Sequence, residues 1–503
     1  MKSDIQCIWF KKNLRIQDNQ VFEKIDSGIA TIWFFLLEDE IITQADFSYF
    51  HLKFIVESLL ELQKNLAALN IQLVVCRSNF EDFILKLEQN YTIKKIVSTQ
   101  ETGNMATYKR DTRVIKFLKN EDISFLEVVN NGVVRALKNR NNWSKIWNQR
   151  MWENIFHEKI FTKIPEIINF PKSKTIEILD YYHNKTKHFN TQIWWETQAL
   201  KILDWFLSAR VQKYSFDIWK PFDSTKSCSR LSPYITYGNI SIKKIYHESL
   251  KKIEELKYLD TDFAKKYISQ IDFFLARIHW QSHFIQKLES QPEIEFKNLY
   301  QKFDQIRNQA DQKIIDDFFN AKTGIPYIDA CMICLKNTGW INFRSRACMV
   351  SYICNTMLQP WQSISHKLAC LFTDYEPGIH YSQIQMQAGT TGINTIRMYN
   401  PIKQSQQKDP YGLFIKKWIP IFKNIDIQYI HEPWLSPEKI PWYEKVIDIA
   451  SLNKYAKDLI WWIKNDDKKS QVLKKIYEKH GSRKKTQKPK KVSQKNINQL
   501  TIF

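Results

Sequence analysis

The stretch from Phe372 to Pro420 decides the architecture of this chain. It opens with Phe-Thr-Asp-Tyr-Glu-Pro-Gly-Ile-His at 372–380, continues with Gly-Thr-Thr-Gly at 389–392 and Ile-Arg-Met-Tyr-Asn-Pro at 396–401, and closes with Trp-Ile-Pro at 418–420. Its recurrent Pro and Gly residues predict that no long helix crosses it. Connections of this length in compact domains are usually functional, and the aromatic and aliphatic content argues against disorder. The residues alone also allow an ordered connecting loop.

Length and charge predict a protein of two or three domains with a polyanionic partner. The chain has 503 residues, of which 44% are hydrophobic and 14% aromatic, enough for sizeable buried cores. Its net charge is +21, and residues 463–503 alone hold 13 basic against 3 acidic residues. Such an excess of positive charge favours nucleic acid as the partner.

Cysteine usage and hydropathy predict a reduced, cytoplasmic protein. Only Cys331 and Cys334 form a CxxC pair; it lies in an apolar helical pattern, and no second close pair completes a four-ligand site. We therefore expect no metal centre, iron–sulfur clusters included. The start at Met1 has an early acid and no long apolar run, so no signal peptide is expected. The apolar run at 29–37 is too short to span a membrane.

The chain divides into four segments by pattern. Residues 1–130 alternate apolar strands with amphipathic helices, which predicts an α/β domain with a doubly wound parallel sheet. Residues 131–192 are typical of an interdomain linker with some helix. Helical periods dominate residues 193–465 and predict an all-α domain. The Lys-rich residues 466–503 predict a frayed helix and a disordered basic tail, which serves either solubility or phosphate attraction.

Spaced motifs carry a resemblance to a known family. They are Trp-Phe-Lys-Lys-Asn-Leu-Arg-Ile-Gln-Asp-Asn at 9–19, Thr-Gly-Ile-Pro-Tyr-Ile-Asp at 323–329, Thr-Gly-Trp-Ile-Asn-Phe-Arg-Ser-Arg at 338–346, and the stretch that begins at Phe372. Together they resemble the photolyase/cryptochrome family, from Cys7 to about Pro420. The resemblance implies an N-terminal α/β domain followed by a helical domain that holds FAD.

The resemblance also implies which residues bind FAD. Arg346 and Asp374 are expected to form a buried ion pair against the flavin ring, and the segments around Tyr214, 228–234 and 238–241 are expected to bind the diphosphate. Cys228 stands where the family has Thr, which removes a hydroxyl donor. The expected cofactor residues are Tyr214, Cys228, Ser229, Arg230, Leu231, Ser232, Trp280, Arg346, Asp374, Tyr375, Glu376 and His380.

Three residues are candidates for catalysis by the same resemblance. His380 aligns with the position that faces flavin N5, where it is expected to hydrogen-bond N5 or relay a proton. Trp361 keeps the middle place of the family's three-tryptophan electron chain, but Ile384 takes the inner place and breaks that chain. His279 and His283 share one helix face. His283 is either a substitute proton donor or, like His279, a surface or capped histidine.

Other positions are implied for DNA and for a second chromophore. The residues assigned to DNA contact are Ser282, Phe343, Arg344, Met386 and Gln404. Three of them depart from the family, which has Glu, Asn and Trp at the places of Ser282, Phe343 and Met386. Glu101 lies in a segment that resembles the antenna pocket of members binding a folate or a flavin; whether an antenna is present, and which, stays open.

The resemblance implies a blue-light-driven flavoprotein that splits UV-induced pyrimidine dimers in duplex or single-stranded DNA, acting as a monomer. The alternative is a cryptochrome-like blue-light receptor that binds FAD and repairs little. The three departures at the lesion contacts favour the receptor, whereas the basic charge and Gln404 favour repair. A third possibility is a DNA-binding protein without chemistry.

Overall fold

The computed structural model describes residues 2–156, 172–187, 192, 195–307, 309–466 and 470–481. Most of the middle of the expected linker and the last 22 residues of the expected tail lie outside the described residues. Within the described part, a parallel sheet domain precedes a helical domain.

The N-terminal domain is a five-stranded sheet in the order β3-β2-β1-β4-β5, with every neighbouring pair parallel. Central β1 is buried from Ile5 to Phe10 because both faces of the sheet are covered, which is why its sequence is continuously apolar. The prediction of a doubly wound sheet is confirmed. The strands are β1 (Ser3–Phe10), β2 (Ala30–Leu36), β3 (Leu73–Cys76), β4 (Tyr91–Thr99) and β5 (Ser124–Val128), with helices α1 (Asp39–Ile42), α2 (Tyr49–Ala68), α3 (Phe80–Glu88) and α4 (Met105–Asn120).

Helices make up the rest of the described chain, as predicted. No helix among the described residues is both long and apolar enough to cross a membrane. The helices are α5 (Trp143–Trp152), α6 (Lys172–Thr186), α7 (Glu196–Ser208), α8 (Tyr214–Asp217), α9 (Ser224–Ser227), α10 (Ser232–Tyr237), α11 (Ile242–Lys257), α12 (Asp262–Ser290), α13 (Gln312–Phe319), α14 (Pro326–Thr338), α15 (Phe343–Ser351), α16 (Gln362–Leu371), α17 (Pro377–Ala388), α18 (Pro401–Lys408), α19 (Leu413–Trp418), α20 (Ile449–Asp466) and α21 (Gln471–His480).

No long helix crosses 372–420, but the stretch is not a single connecting loop, because it contains the short helices α17, α18 and α19. Pro377 lies in the first turn of α17, where its missing N–H is not needed, and Gly389 ends the helix with φ of 75°. The breakers therefore mark the ends of α17, and only residues 389–400 connect it to α18 without regular structure.

Two segments at the domain margins pack more closely than the sequence indicated. Within the expected linker, α6 packs on α2 and β3, and the Thr175 hydroxyl accepts a hydrogen bond from the Val75 amide at 3.1 Å. Within the expected tail, α21 places Ile476 in an apolar cluster with Tyr300 and Ile460. The N-terminal domain thus gains α6 from the expected linker, and the helical domain gains α21 from the expected tail.

The two domains meet at residues 238–241, which were expected to belong to the diphosphate segment. Gly238, at φ of 75°, lies directly against the backbone of Lys12, leaving no room for a side chain. Asn239 Nδ2 donates to the Leu14 carbonyl at 3.1 Å, and the Ser241 hydroxyl donates to an Asp18 carboxylate oxygen at 2.5 Å. These contacts hold the two domains together, and a role of the same residues in binding the diphosphate stays a prediction.

Candidate functional site

An ion pair between Arg346 and Asp374 joins α15 to the segment before α17. Nη1 and Nη2 of Arg346 donate to Oδ1 and Oδ2 of Asp374 at 2.9 and 3.0 Å, and its Nε donates to the Ile341 carbonyl at 2.8 Å. The guanidinium also lies 4.3 Å from the ring centroid of Phe372. The side chains of Arg346 and Asp374 are only 23% and 6% exposed, so this bidentate pair is largely withdrawn from water.

Arg230 brings a second buried cation toward Asp374. Its guanidinium lies 3.8 Å from the ring centroid of Trp340, and its Nε donates to Gln192 Oε1 at 3.1 Å. Burial lowers the pKa of Arg230 to about 10, with Cys228 and Asp374 opposing that shift, so it stays protonated at neutral pH. Within the described residues its two terminal nitrogens donate to no acceptor, which fits an anionic ligand group.

The remaining residues of the expected diphosphate segment are mostly buried around Arg230. Tyr214 packs edge-on against Phe206 and Phe274, and burial raises its pKa. Burial also raises the pKa of the Cys228 thiol to about 12, so that side chain is a neutral thiol. Leu231 is buried, Ser229 is half-buried and Ser232 is exposed at the start of α10.

Tyr375 and Glu376 point away from the ion pair toward the N-terminal domain. The Tyr375 hydroxyl donates to Asp46 Oδ2 at 2.5 Å. The Glu376 carboxylate lies 3.3 Å from the Lys12 ammonium. Burial raises the pKa of Glu376, and Lys12 opposes that rise. Asp46 and Lys12 both belong to the N-terminal domain, so these two contacts link the two domains.

His380 lies beneath Tyr375, facing α16. Its Nε2 is 2.9 Å from the Ser365 carbonyl oxygen, and its ring makes edge contacts with Tyr375 and Tyr381. Burial lowers the pKa of His380 to about 4, a shift that the Ser365 carbonyl opposes, so the imidazole is neutral at neutral pH. Its role toward flavin N5 stays a prediction, and it is a neutral imidazole that performs this role.

The face of α12 that carries Ser282 and His283 packs against residues 132–147. Ser282 is 1% exposed and its hydroxyl lies beside Gly132. Nδ1 of His283 is 2.5 Å from Nη2 of Arg140. Burial, then Arg140, lowers the pKa of His283 to about 2, so its ring is neutral and a proton-donor role is disfavoured. The buried position of Ser282 likewise does not support the DNA contact expected of it.

Trp280, on the same helix, packs against His283 and Phe284, with ring centroids 4.8 and 5.7 Å away. Trp361, the predicted electron-transfer residue, is buried and its Nε1 donates to Asn298 Oδ1 at 2.6 Å. Its aromatic neighbour is Tyr381, with ring centroids 6.3 Å apart, whereas Ile384 is only an aliphatic neighbour in the same apolar cluster.

A group of stacked cations and rings lies at the start of α15. The Arg344 guanidinium is 4.8 Å from the Trp219 ring centroid and 5.0 Å from that of Tyr399. Arg277 is 5.8 Å from Trp219 and 4.3 Å from Phe273. We call these five residues the cation–aromatic cluster. Sequence reasoning identified only Arg344, because the other members come from distant segments whose convergence no local pattern signals.

The other residues assigned to DNA are partly accessible. Phe343, Met386 and Gln404 are half-buried on α15, α17 and α18. Phe343 is adjacent in sequence to Arg344, and α15 packs on α17. Phe343 and Met386 thus lie on helices that adjoin the cation–aromatic cluster, and Gln404 lies on α18, the helix that follows Tyr399.

A cleft of about 130 Å³ lies between the domains at the carboxyl ends of β1 and β2. The antenna candidate Glu101 lines it and pairs with Arg110, which also pairs with Glu38 and lies 4.9 Å from the ring centroid of Trp9. Burial raises the pKa of Glu38 to about 7. Ligands of open parallel sheets bind at this edge.

Two family models match the sequence of this chain. The DNA photolyase family matches residues 6–145, and the FAD binding domain of DNA photolyase matches residues 274–475. The chain belongs to the photolyase/cryptochrome family. FAD is therefore the cofactor of its helical domain. The terminal nitrogens of Arg230, which meet no acceptor among the described residues, and the Arg346–Asp374 pair fit a dinucleotide with an anionic diphosphate.

Relatives carry both names of the family. A deoxyribodipyrimidine photo-lyase of Alkalihalophilus pseudofirmus is 27% identical over 281 residues, which cover 54% of this chain and 56% of the relative. A (6-4)DNA photolyase of Arabidopsis thaliana is 22% identical over 86% of this chain and 81% of its own length. Cryptochrome-2 of Gallus gallus is 21% identical over 86% and 77%.

Solved structures share the whole fold. A class III photolyase from Agrobacterium tumefaciens superposes with a TM-score of 0.77 at 19% identity, covering 92% of this chain and 98% of that one. An archaeal photolyase from Sulfolobus tokodaii, solved with two FAD molecules, gives a TM-score of 0.73 at 20% identity, covering 90% and 99%.

Proposed function

We propose that this protein is a blue-light-driven DNA repair enzyme that splits UV-induced pyrimidine dimers. Reduced FAD, when bound, absorbs blue light and supplies an electron to the dimer. The residues of this chain hold the cofactor through Arg230, Arg346 and Asp374, and hold the damaged strand through the cation–aromatic cluster.

The observation that carries the proposal is the position of that cluster. Arg344 and Arg346 are two residues apart on α15, so one helix start supplies the Arg346–Asp374 ion pair and, on a different face of the helix, a cation of the cluster. Arg binds phosphate oxygens through its planar fork, and exposed aromatic rings stack on unstacked bases. A lesion turned out of the duplex meets both features beside the cofactor.

Net charge supports the same partner. The excess of 21 positive charges attracts the phosphate backbone whatever the sequence, and the residues after Gly481 add seven Lys and Arg without any acid. The proposal includes UV-damaged duplex or single-stranded DNA as the substrate, and a cytoplasmic protein that acts as a monomer.

The alternative function is a blue-light receptor with little repair activity. It is supported by the buried position of Ser282 and by the departures at Phe343 and Met386, where the resemblance implies polar or stacking contacts with the lesion. Relatives named cryptochrome are consistent with it. The cation–aromatic cluster favours repair over this alternative, because its guanidinium groups suit phosphate oxygens and its rings suit unstacked bases.

The interdomain cleft is the proposed place of a second chromophore. Its floor combines the Trp9 ring, the Arg110 guanidinium and the Glu101 carboxylate, which suits a planar heteroaromatic ligand with donor and acceptor groups. The archaeal photolyase with two FAD molecules shows that its fold accommodates a second flavin.

A repair assay on two defined lesions tests the proposal. The reduced protein is illuminated with blue light on one oligonucleotide carrying a cyclobutane thymine dimer and on another carrying a (6-4) product, with dark samples in parallel. Light-dependent restoration of either substrate supports repair and identifies its class of lesion. Restoration of neither, by protein that holds FAD, supports the receptor.

A further inference from the structure

A groove with an apolar floor lies between α21 and the segment 291–302. Its volume is about 560 Å³, within the range of roughly 300–1,000 Å³ that is typical of ligand sites. Ile294 and Ile476 are 3% and 9% exposed and form its floor, and Val472, which is 54% exposed, borders it. An apolar side chain from another molecule would therefore gain burial by lying in this groove.

Lysine side chains surround the apolar floor. Lys297 and Lys302 line the groove from one wall, and Lys475 and Lys479 line it from α21. Glu293 is the one acid among the lining residues, so four positive charges and one negative charge leave a net charge of +3. Within the residues that the structure describes, Lys297, Lys475 and Lys479 form no ion pair with a carboxylate. The groove thus presents a positive field to a ligand.

Both walls of the groove are held by contacts at the ends and at the base of α21. The Ser470 hydroxyl caps the helix by accepting a hydrogen bond from the Val472 amide at 3.1 Å. At the other end, Nε2 of His480 lies 2.8 Å from Gln291 Oε1. Between these ends, Ile476 packs in the apolar cluster described above. The groove is therefore preformed, and binding orders few additional groups of the protein.

We propose that this groove binds a short acidic segment of a partner protein that carries one large apolar side chain. The apolar side chain lies on Ile294, Val472 and Ile476, and the carboxylates of the segment face the ammonium groups around the floor. This interaction is additional to flavin and DNA binding, and it applies equally to a repair enzyme and to a light receptor.

The lining residues suit a peptide better than a nucleic acid. Single-stranded nucleic acids bind proteins by stacking their bases on accessible aromatic rings. The aromatic residue that lines this groove is Tyr300, which is only 2% exposed, so its ring offers no stacking surface. Glu293 opposes a continuous row of phosphates, whereas a peptide places a neutral main-chain group there. The exposed Gln301 amide offers both a donor and an acceptor to a peptide backbone.

Fluorescence anisotropy with the full-length holoprotein tests the groove at physiological salt. The first probe is a fluorescein-labelled peptide of consecutive Asp residues followed by a single Phe, and the second has Ser in place of that Phe. A labelled single-stranded oligothymidylate is the third probe. The Phe peptide should bind, and the Ser peptide should bind roughly tenfold or more weakly, because it has no large apolar side chain to bury.

Charge reversal on α21 separates the groove from the general positive charge of the protein. Lys475→Glu and Lys479→Glu should each weaken binding of the Phe peptide by roughly fivefold or more. Lys474→Glu is the matched control, because Lys474 is exposed on the same helix outside the groove; it should change the affinity by less than about twofold. The basic residues after Gly481 are the same in all these proteins, so their contribution cancels. Flavin absorbance and thermal unfolding verify that each variant is folded.

Val472→Asn isolates the apolar contact without a change of charge. It should weaken binding of the Phe peptide and leave binding of the Ser peptide unchanged. Absence of binding by wild type, or equal affinity of the three lysine variants for the Phe peptide, would overturn the proposal. So would a loss of oligothymidylate binding, with peptide binding retained, in Lys475→Glu and Lys479→Glu, because the groove would then be a nucleic-acid surface.

Discussion

Arg346 and Asp374 satisfy each other through two parallel hydrogen bonds, so removal of either leaves a charge without its partner. We predict that Asp374→Ala loses most of its flavin or becomes insoluble, because an unpaired buried charge costs about 3–5 kcal/mol. The measurement is the ratio of flavin to protein absorbance after purification. Asp316→Ala is the matched control, since its pair with Lys367 at 3.7 Å is half exposed and its loss should change little. Full flavin occupancy in Asp374→Ala would separate the pair from cofactor binding.

His380 predicts a pH dependence of stability. Its pKa is about 4 in the folded chain, below the ordinary value of about 6.5, so between these values the unfolded chain binds a proton that the folded chain does not. Its stabilising contribution is complete above about pH 6.5 and is lost as the pH falls toward 4. From about pH 7 to 5, wild type should therefore lose about 2 kcal/mol more unfolding free energy than His380→Asn.

Denaturant unfolding of both proteins at the two pH values measures that difference. Because only the change with pH is compared, any constant effect of the substitution cancels. Equal losses in both proteins would mean that His380 titrates normally and is accessible to water.

At the residue scale, the sequence predicted which charged groups form a pair but not the direction in which single side chains point. Arg346 and Asp374 were expected to pair and do pair at 2.9 and 3.0 Å. Ser282 and His283 lie on a face of α12 that packs against residues 132–147, and that face is set by tertiary contacts with Arg140 and Gly132. A helical pattern with little contrast between its faces does not reveal this choice.

At the element scale, the sequence predicted which strands and helices exist better than it predicted the residues at which they begin and end. β2 and β3 follow from continuous apolar runs that a sheet covered on both faces explains, whereas edge strand β5 is buried only at Val128. The segment after Phe372 was misjudged because Pro377 and Gly389 both break helices in general, yet here they occupy the first turn and the C-cap of α17. Position relative to a helix end, not residue type, decides their effect.

The C-terminal helix α21 separates two parts of the basic segment. Truncation after Gly481 removes seven positive charges and keeps Ile476 packed against Tyr300 and Ile460. We predict unchanged flavin content and stability, with weaker duplex binding at low salt and a shallower salt dependence. The measurement is duplex affinity across a salt series.

The matched variant is truncation after Asp467, which also removes α21 and uncovers that apolar cluster. It should lower thermal stability as well as DNA affinity. If the protein truncated after Gly481 and wild type bind duplex with the same affinity at every salt concentration, the tail takes no part in DNA binding.

At the scale of the whole molecule, four segments converge to form the cation–aromatic cluster, since Phe273 and Arg277 share α12. We predict that Trp219→Ala weakens binding of damaged DNA by about 1–3 kcal/mol, the usual value of one stacked base. Fluorescence anisotropy with a damaged duplex measures this. Trp205→Ala is the matched control, because Trp205 is also stacked under an arginine, Arg210 at 4.6 Å, but lies on α7 outside the cluster. Equal losses of affinity in both variants would mean that charge or folding, and not base stacking, causes the effect.

The central claim is tested most directly by light-dependent reversal of a cyclobutane thymine dimer. Chemically reduced holoprotein is incubated with a dimer-containing oligonucleotide in blue light and in darkness, and the restored thymines are quantified by chromatography. The account predicts restoration in light alone, abolished in Asp374→Ala and retained in Asp316→Ala. Protein that carries reduced FAD and binds the oligonucleotide, yet restores no thymine in light, would contradict it.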